Sequence, residues 1–215
     1  MLLVFDLDGT LVDSIHDLAS AASELSARYG GPPIDDEAAC WMVGEGAAVL
    51  VERVMAQAAQ AAPPAVALQE FLALYDQRMF ETTRPYPGTI ETLQALAATH
   101  ALALLTNKPE DSGRRILARL GLEPYFPHAV FGDGRFAPKP DPAGLQWLME
   151  RCGATAGRTL LIGDSDVDVR TARNGGVRLC LARYGFGFVR VDESMQRSDD
   201  WYLDQPSDLL TLLPQ

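Results

Sequence analysis

The 215-residue chain reads as an α/β protein: a three-layer parallel-sheet core with a block of helices inserted after the first strand. Three observations predict this. Short apolar runs alternate with helix-period segments from Gly88 to Ala182, the pattern of right-handed βαβ units. No strand pattern interrupts residues 15 to 83. Polar clusters follow directly on the apolar runs, at the carboxyl ends of the expected strands, where open Rossmann-like sheets place their chemistry.

The elements follow in order. Met1-Leu2-Leu3-Val4-Phe5 is a buried strand that runs straight into a polar turn at Asp6. Ser14 and Asp17 form an expected N-capping pair for a helix carrying Ile15, Leu18, Ala19, Ala22, Leu25 and Tyr29, which Gly30-Gly31-Pro32-Pro33 stops. A second helix follows Gly46, with Leu50, Val51 and Val54 on one face, and Pro63-Pro64 breaks it. A third runs from about Val66 to Phe80. Pro85-Tyr86-Pro87-Gly88 is a stiff return. Beyond it, strands are expected at Ala101–Leu105, Ala129–Phe131, Thr159–Ile162 and Arg178–Ala182, each preceded by a helix. The expected division is a core of residues 1–14 and 85–215 and a helical cap of residues 15–84. Trp41 and Tyr75 are expected in the cap's apolar core.

Composition narrows the function. Twenty-nine acidic residues against 18 basic ones leave a net charge of −11, which argues against nucleic acid or an anionic membrane as partner. No run reaches the ~20 apolar residues of a membrane span, and no signal peptide is expected. Cys40, Cys152 and Cys180 are scattered and odd in number, so neither a disulfide framework nor a zinc site is expected, and a reducing cytoplasm fits. The composition does not fix an oligomeric state.

Four polar clusters end apolar runs: Asp6-Leu7-Asp8-Gly9-Thr10, Thr106-Asn107, Lys139-Pro140, and Gly163-Asp164 with Asp168. Adjacent parallel strands bring such clusters together. Crowded carboxylates repel and hold protons unless a cation lies among them, and a set of hard oxygen donors suits Mg²⁺. Asp6 and Asp8 are two residues apart; if the turn begins after Asp6 they take different jobs. Any anionic ligand approaching so acidic a protein must be held locally, because the far field repels it.

Phe5-Asp-Leu-Asp-Gly-Thr-Leu-Val-Asp-Ser14 resembles the first motif of the haloacid dehalogenase superfamily of phosphohydrolases. Leu104-Leu-Thr-Asn-Lys-Pro109 is similar to the second, Lys139-Pro-Asp-Pro142 to the third, and Ile162-Gly-Asp-Ser-Asp-Val-Asp168 to the fourth. They stand in the family's order, with the helical insertion in its place. Within that superfamily, Trp41-Met-Val-Gly-Glu-Gly46, Leu50-Val-Glu-Arg53 and Leu181-Ala-Arg-Tyr-Gly185 resemble the phosphoglycolate phosphatases of bacteria. The resemblance implies a hydrolase of a small anionic phosphate ester. Asp6 would be the nucleophile and Asp8 the acid and base. Thr106 and the Asn107 N–H would bind phosphate oxygens, Lys139 would neutralise charge, and Asp6, Asp8 and Asp164 would hold Mg²⁺. Asp168 would join them or stand behind them.

In the cap, Gly44-Glu45-Gly46 opens a helix whose N–H groups could face a substrate carboxylate, with Arg53 as a candidate partner. Glu45 opposes an anion there, and related phosphoglycolate phosphatases commonly carry a neutral residue. Asp13, Ser14 and Asp166 are expected as capping or turn residues. His16, His100 and His128 are scattered and take no role. Three alternatives remain: a β-phosphoglucomutase-type mutase, a phosphatase for another small sugar phosphate, and a phospho-accepting receiver module, which lacks both the insertion and the second carboxylate.

Overall fold

The computed structural model describes residues 1–213. Strand β1 (Leu2–Phe5) is buried at every position, as an unbroken apolar strand must be when both sheet faces are covered. The chain turns sharply at Leu7, whose carbonyl accepts from the N–H groups of Thr10, Leu11 and Val12. It then leaves through β2 (Val12–Asp13).

Four helices follow. In α1 (Ile15–Arg28) Leu18, Ala19, Ala22 and Leu25, which recur at helical spacing, are buried, while Ile15 and Tyr29 are partly buried. The five-residue α2 (Asp36–Cys40), capped by Asp35, is too short for a periodic signal and was not expected. Helix α3 (Ala47–Met55) buries Leu50, Val51 and Val54. Helix α4 (Pro64–Arg78) buries Ala67, Phe71, Leu74 and Tyr75. It starts at Pro64 rather than after it, because proline suits the first helical position, where no N–H is needed. The chain returns through β3 (Arg84–Pro85). Strands β2 and β3 pair antiparallel, Val12 with Pro85 and Asp13 with Arg84.

The remainder alternates as expected: α5 (Thr89–Ala97), β4 (Ala101–Leu105), α6 (Glu110–Arg119), β5 (His128–Val130), α7 (Ala143–Arg151), β6 (Thr159–Gly163), α8 (Asp166–Gly175) and β7 (Arg178–Ala182). Two further elements, β8 (Trp201–Leu203) and α9 (Leu209–Leu212), were not read from the sequence. Six strands form one sheet in the order β5-β4-β1-β6-β7-β8, and every pair in it is parallel.

Side chains alternate across this sheet with period two. Leu3, Phe5, Leu102, Leu104, Leu160 and Ile162 pack in one cluster with Leu93 and Leu96 of α5 and Ile116 and Leu117 of α6. Leu2, Val4, Ala103, Leu105, Leu161 and Leu179 pack in a second with Leu145 and Leu148 of α7 and Val169 and Ala172 of α8. The three layers are therefore present. The first cluster continues without a break into the apolar faces of α1, α3 and α4. No helix among the described residues is long and apolar enough to cross a membrane.

The sheet order positions the site. Strand β1 lies between β4 and β6, with Phe5 level with Leu104 on one side and Ile162 on the other. The residues that follow each strand, Asp6, Thr106 and Asp164, therefore emerge side by side at the carboxyl edge.

Candidate active site

Asp6 is 7% exposed. Its Oδ1 accepts from the Leu7 N–H at 2.7 Å, and its Oδ2 lies 2.9 Å from Lys139 Nζ. Burial pushes its carboxyl up to about 6; Lys139 partly offsets this and Asp168 adds to it. Asp8 looks elsewhere. Its Oδ1 accepts the Ser14 hydroxyl at 2.6 Å, and both its oxygens lie 3.0 Å from Lys108 Nζ. Two acids two residues apart thus share no partner, because the turn begins immediately after Asp6. Gly9 makes that turn possible: its φ is +83°, and a Cβ there would meet Asp164 Oδ2 at 2.0 Å.

The acidic cluster is completed from β6 and α8. Asp164 accepts the Thr10 hydroxyl at 3.1 Å and the Gly187 N–H at 2.7 Å. Burial, with Asp168 and Asp6 beside it, raises its carboxyl well above the usual range. Asp168 accepts from Lys139 Nζ at 2.7 Å through one oxygen and from the Ser165 hydroxyl at 2.6 Å through the other. Ser165 and Asp168 form a reciprocal capping box on α8, so the N-cap is Ser165 and not Asp166. Asp166 instead pairs with Arg170 and Arg190.

The second and third clusters are tied together. Asn107 Nδ2 donates to the carbonyls of Lys139 (2.9 Å) and Gly44 (3.0 Å), and its Oδ1 accepts the Lys139 N–H at 2.7 Å. The Asn107 side chain therefore braces the loop that delivers Lys139. The backbone N–H of Lys108 donates to Thr106 Oγ1 at 3.3 Å. Thr106, Asn107 and Lys139 are all buried.

Whether this cluster fits a cation can be judged from its own chemistry. Carboxylate oxygens of Asp6, Asp164 and Asp168 all lie within 4.8 Å of one another, and Lys139 is the one ammonium touching them among the described residues. Three carboxylates and one ammonium leave two negative charges, the deficit a divalent ion cancels. Hard oxygen donors suit Mg²⁺. The residues fit.

Several residues depart from expectation. Ser14 does not cap α1 with its side chain; its hydroxyl serves Asp8. Asp17 accepts instead from the N–H and hydroxyl groups of Thr82 and Thr83, at 2.6 to 3.1 Å. Trp41 is 56% exposed rather than core. Tyr75 is buried, yet its hydroxyl reaches the site and lies 2.9 Å from Lys108 Nζ, because a buried phenol needs a polar partner. Arg53 donates to the Met42 carbonyl and to Glu45, each at 2.8 Å, so it is turned away from the site. The same pairing neutralises Glu45, which removes its opposition to an anion.

Lys108 is the principal residue that went unread. It stands next to Thr106-Asn107 in the same polar cluster, and that adjacency was the available signal. Burial would lower its ammonium, but Asp8 and Tyr75 outweigh this and hold it above its ordinary value. Arg190 also went unread; it donates to Asp166 at 3.0 Å and to the Cys40 carbonyl at 3.1 Å, joining the sheet edge to α2. Between the edge and α3–α4 a cavity of about 50 Å³ remains, the space of a few water molecules. Asp6, Asp8, Thr106 and Lys108 line it from below, and Gly44, Gly46, Leu50 and Tyr75 from above.

A carboxylate cluster at the edge of a parallel sheet, roofed by inserted helices, defines an α/β enzyme that works where its strands end. Comparison makes the class particular. Residues 3–182 match the model of the haloacid dehalogenase-like hydrolases, and the chain belongs to that family. The receiver-module alternative falls with this match. The phosphoglycolate phosphatase of Rhodospirillum rubrum is 38% identical over 215 residues, covering 93% of this chain and 89% of that protein. That of Pseudomonas putida is 38% identical over 218 residues, covering 99% and 78%. The crystal structure of a predicted phosphoglycolate phosphatase from Haemophilus somnus 129PT superposes with a TM-score of 0.91 at 29% identity, covering 98% of this chain and 96% of that one.

Proposed function

We propose that the protein is a Mg²⁺-dependent phosphatase that hydrolyses a small carboxylated monoester, 2-phosphoglycolate, through a phosphorylated Asp6. Residues 15–84 act as the cap that selects the substrate, and residues 1–14 and 85–215 as the core that performs the chemistry. The observation that carries this reading is the division of labour between Asp6 and Asp8. One faces the acidic cluster and Lys139; the other faces Lys108 and the cap.

Asp6 attacks phosphorus through a carboxylate oxygen; that O–P bond forms as the bond to the ester oxygen breaks. Asp8 gives its proton to the departing alkoxide, which leaves as glycolate. Water then attacks phosphorus and yields its proton to Asp8 as the Asp6 O–P bond breaks, which releases inorganic phosphate and restores the Asp6 carboxylate. Lys139 offsets charge on Asp6, while Thr106 and the Asn107 N–H hold phosphate oxygens. Asp6, Asp164 and the Asp8 carbonyl would hold the ion, with Asp168 beside them, fixed by Lys139 and Ser165. When bound, Mg²⁺ supplies positive charge that keeps Asp6 ionised and offsets that of the phosphoryl group.

One finding supports the substrate. The relatives named above are phosphoglycolate phosphatases at 38% identity. The test is a panel of small phosphate esters with Mg²⁺, with phosphate release and sugar-phosphate isomerisation measured in parallel. Preferred release of phosphate from 2-phosphoglycolate, abolished by a chelator, is expected. Isomerisation without net release would overturn the reading.

A further inference from the structure

We infer that Lys108 is the specificity-determining residue that recognises a carboxylate on the leaving group. This rests on the proposed phosphatase reading and deepens it. If Asp8 protonates the ester oxygen, that oxygen lies within one hydrogen bond of Asp8. Lys108 Nζ is 3.0 Å from both Asp8 oxygens, so the leaving group emerges beside the ammonium. In an α-carboxylated ester the carboxylate carbon is two bonds from that oxygen. Its oxygens therefore fall within charge-assisted hydrogen-bond reach of Nζ, about 2.7–2.9 Å.

Among the described residues, the other cations near the site make their contacts away from Asp8: Lys139 with Asp6 and Asp168, Arg53 with Glu45 and the Met42 carbonyl, and Arg190 with Asp166 and the Cys40 carbonyl. Lys108 is buried, lines the cavity and is held between the core acid Asp8 and the Tyr75 hydroxyl of α4. An ammonium has three donors, and here they meet two Asp8 oxygens and one phenol. An arriving carboxylate replaces an Asp8 contact with another of the same charge. An uncharged leaving group offers no such exchange. Sites that spend buried polar groups on a substrate discriminate strongly against analogues that lack the matching group.

The test compares kcat/KM for 2-phosphoglycolate with that for ethyl phosphate, its counterpart with a methyl group for the carboxylate. The wild-type ratio is expected to exceed about a hundredfold. Lys108→Met should lower that ratio at least tenfold, and Lys108→Arg, which keeps the charge, should retain more of it. A role confined to positioning Asp8 would slow both esters alike and leave the ratio intact, which overturns the inference alone. A wild-type ratio near one overturns it without any variant. Absence of phosphate release from either ester by the wild type would instead remove the phosphatase reading, and this inference with it.

Discussion

Lys139 Nζ lies 2.7 Å from Asp168 and 2.9 Å from Asp6, so a single buried ammonium is shared between the proposed nucleophile and the first turn of α8. Burial would lower that ammonium, but Asp168 and Asp6 outweigh this and hold it above its ordinary value. Lys139→Met should strand two buried carboxylates, at a cost of about 3–5 kcal/mol. Urea unfolding of the metal-free protein measures this. Phosphate release should fall by about 10²–10³-fold; a variant of unchanged stability would contradict the shared pairing.

Asp6→Asn should abolish turnover and yet leave the metal-free protein at least as stable as the wild type at neutral pH. The reason is that Asp6 is a buried carboxylate pushed up to about 6, so its ionised form is unfavourable there. Thermal unfolding without metal and phosphate-release assays check both halves. Asp8→Asn should slow turnover by about 10²–10⁴-fold while inorganic phosphate still binds.

The metal-free protein should lose stability as pH rises from about 4 through about 6. Asp6 and Asp164 have raised carboxyl values in the folded state, so between the unfolded and folded values the native protein binds more protons than the unfolded chain. Stability then falls with rising pH. Mg²⁺ should therefore raise the Tm more at pH 7.5 than at pH 5. Equal shifts at both values would show that these carboxylates do not hold the ion.

Asp17→Ala should destabilise the fold by about 3 kcal/mol, since it leaves the buried Thr83 donors and their Thr82 neighbours without an acceptor. Burial would raise the Asp17 carboxyl, but hydrogen bonds from Thr82 and Thr83 outweigh it and hold it below the usual range. Its contribution is present above the unfolded value and fades as acid protonates it. The variant should consequently lose less stability than the wild type on going from pH 6 to pH 3, read by denaturant titration.

The core was legible because its signals are strong and local. Five apolar residues before Asp6, and the matching runs before Thr106 and Asp164, define adjacent strands whose ends must meet. What escaped was of two kinds. Helix α2 and strand β8 are too short for periodicity to show. Ser14, Asp17, Lys108 and Tyr75 have local spacings that suggest caps, a loop or core, and only the partners their side chains meet in the fold reveal other work. Asp17 meets Thr82 and Thr83 across 65 and 66 positions of chain. Lys108 meets Asp8 across 100. Glu45 shows the converse: judged alone it opposes an anion, but with Arg53 beside it its charge is already answered.

The antiparallel pairing of Val12–Asp13 with Arg84–Pro85 brings the two crossings between sheet and helices to one spot. To the sheet, everything between those crossings is a single long excursion, and the entropy of closing such a loop grows only with the logarithm of its length. The ribbon is therefore a natural splice point. A different roof, longer or shorter, can be grafted there while the carboxylates underneath keep their register.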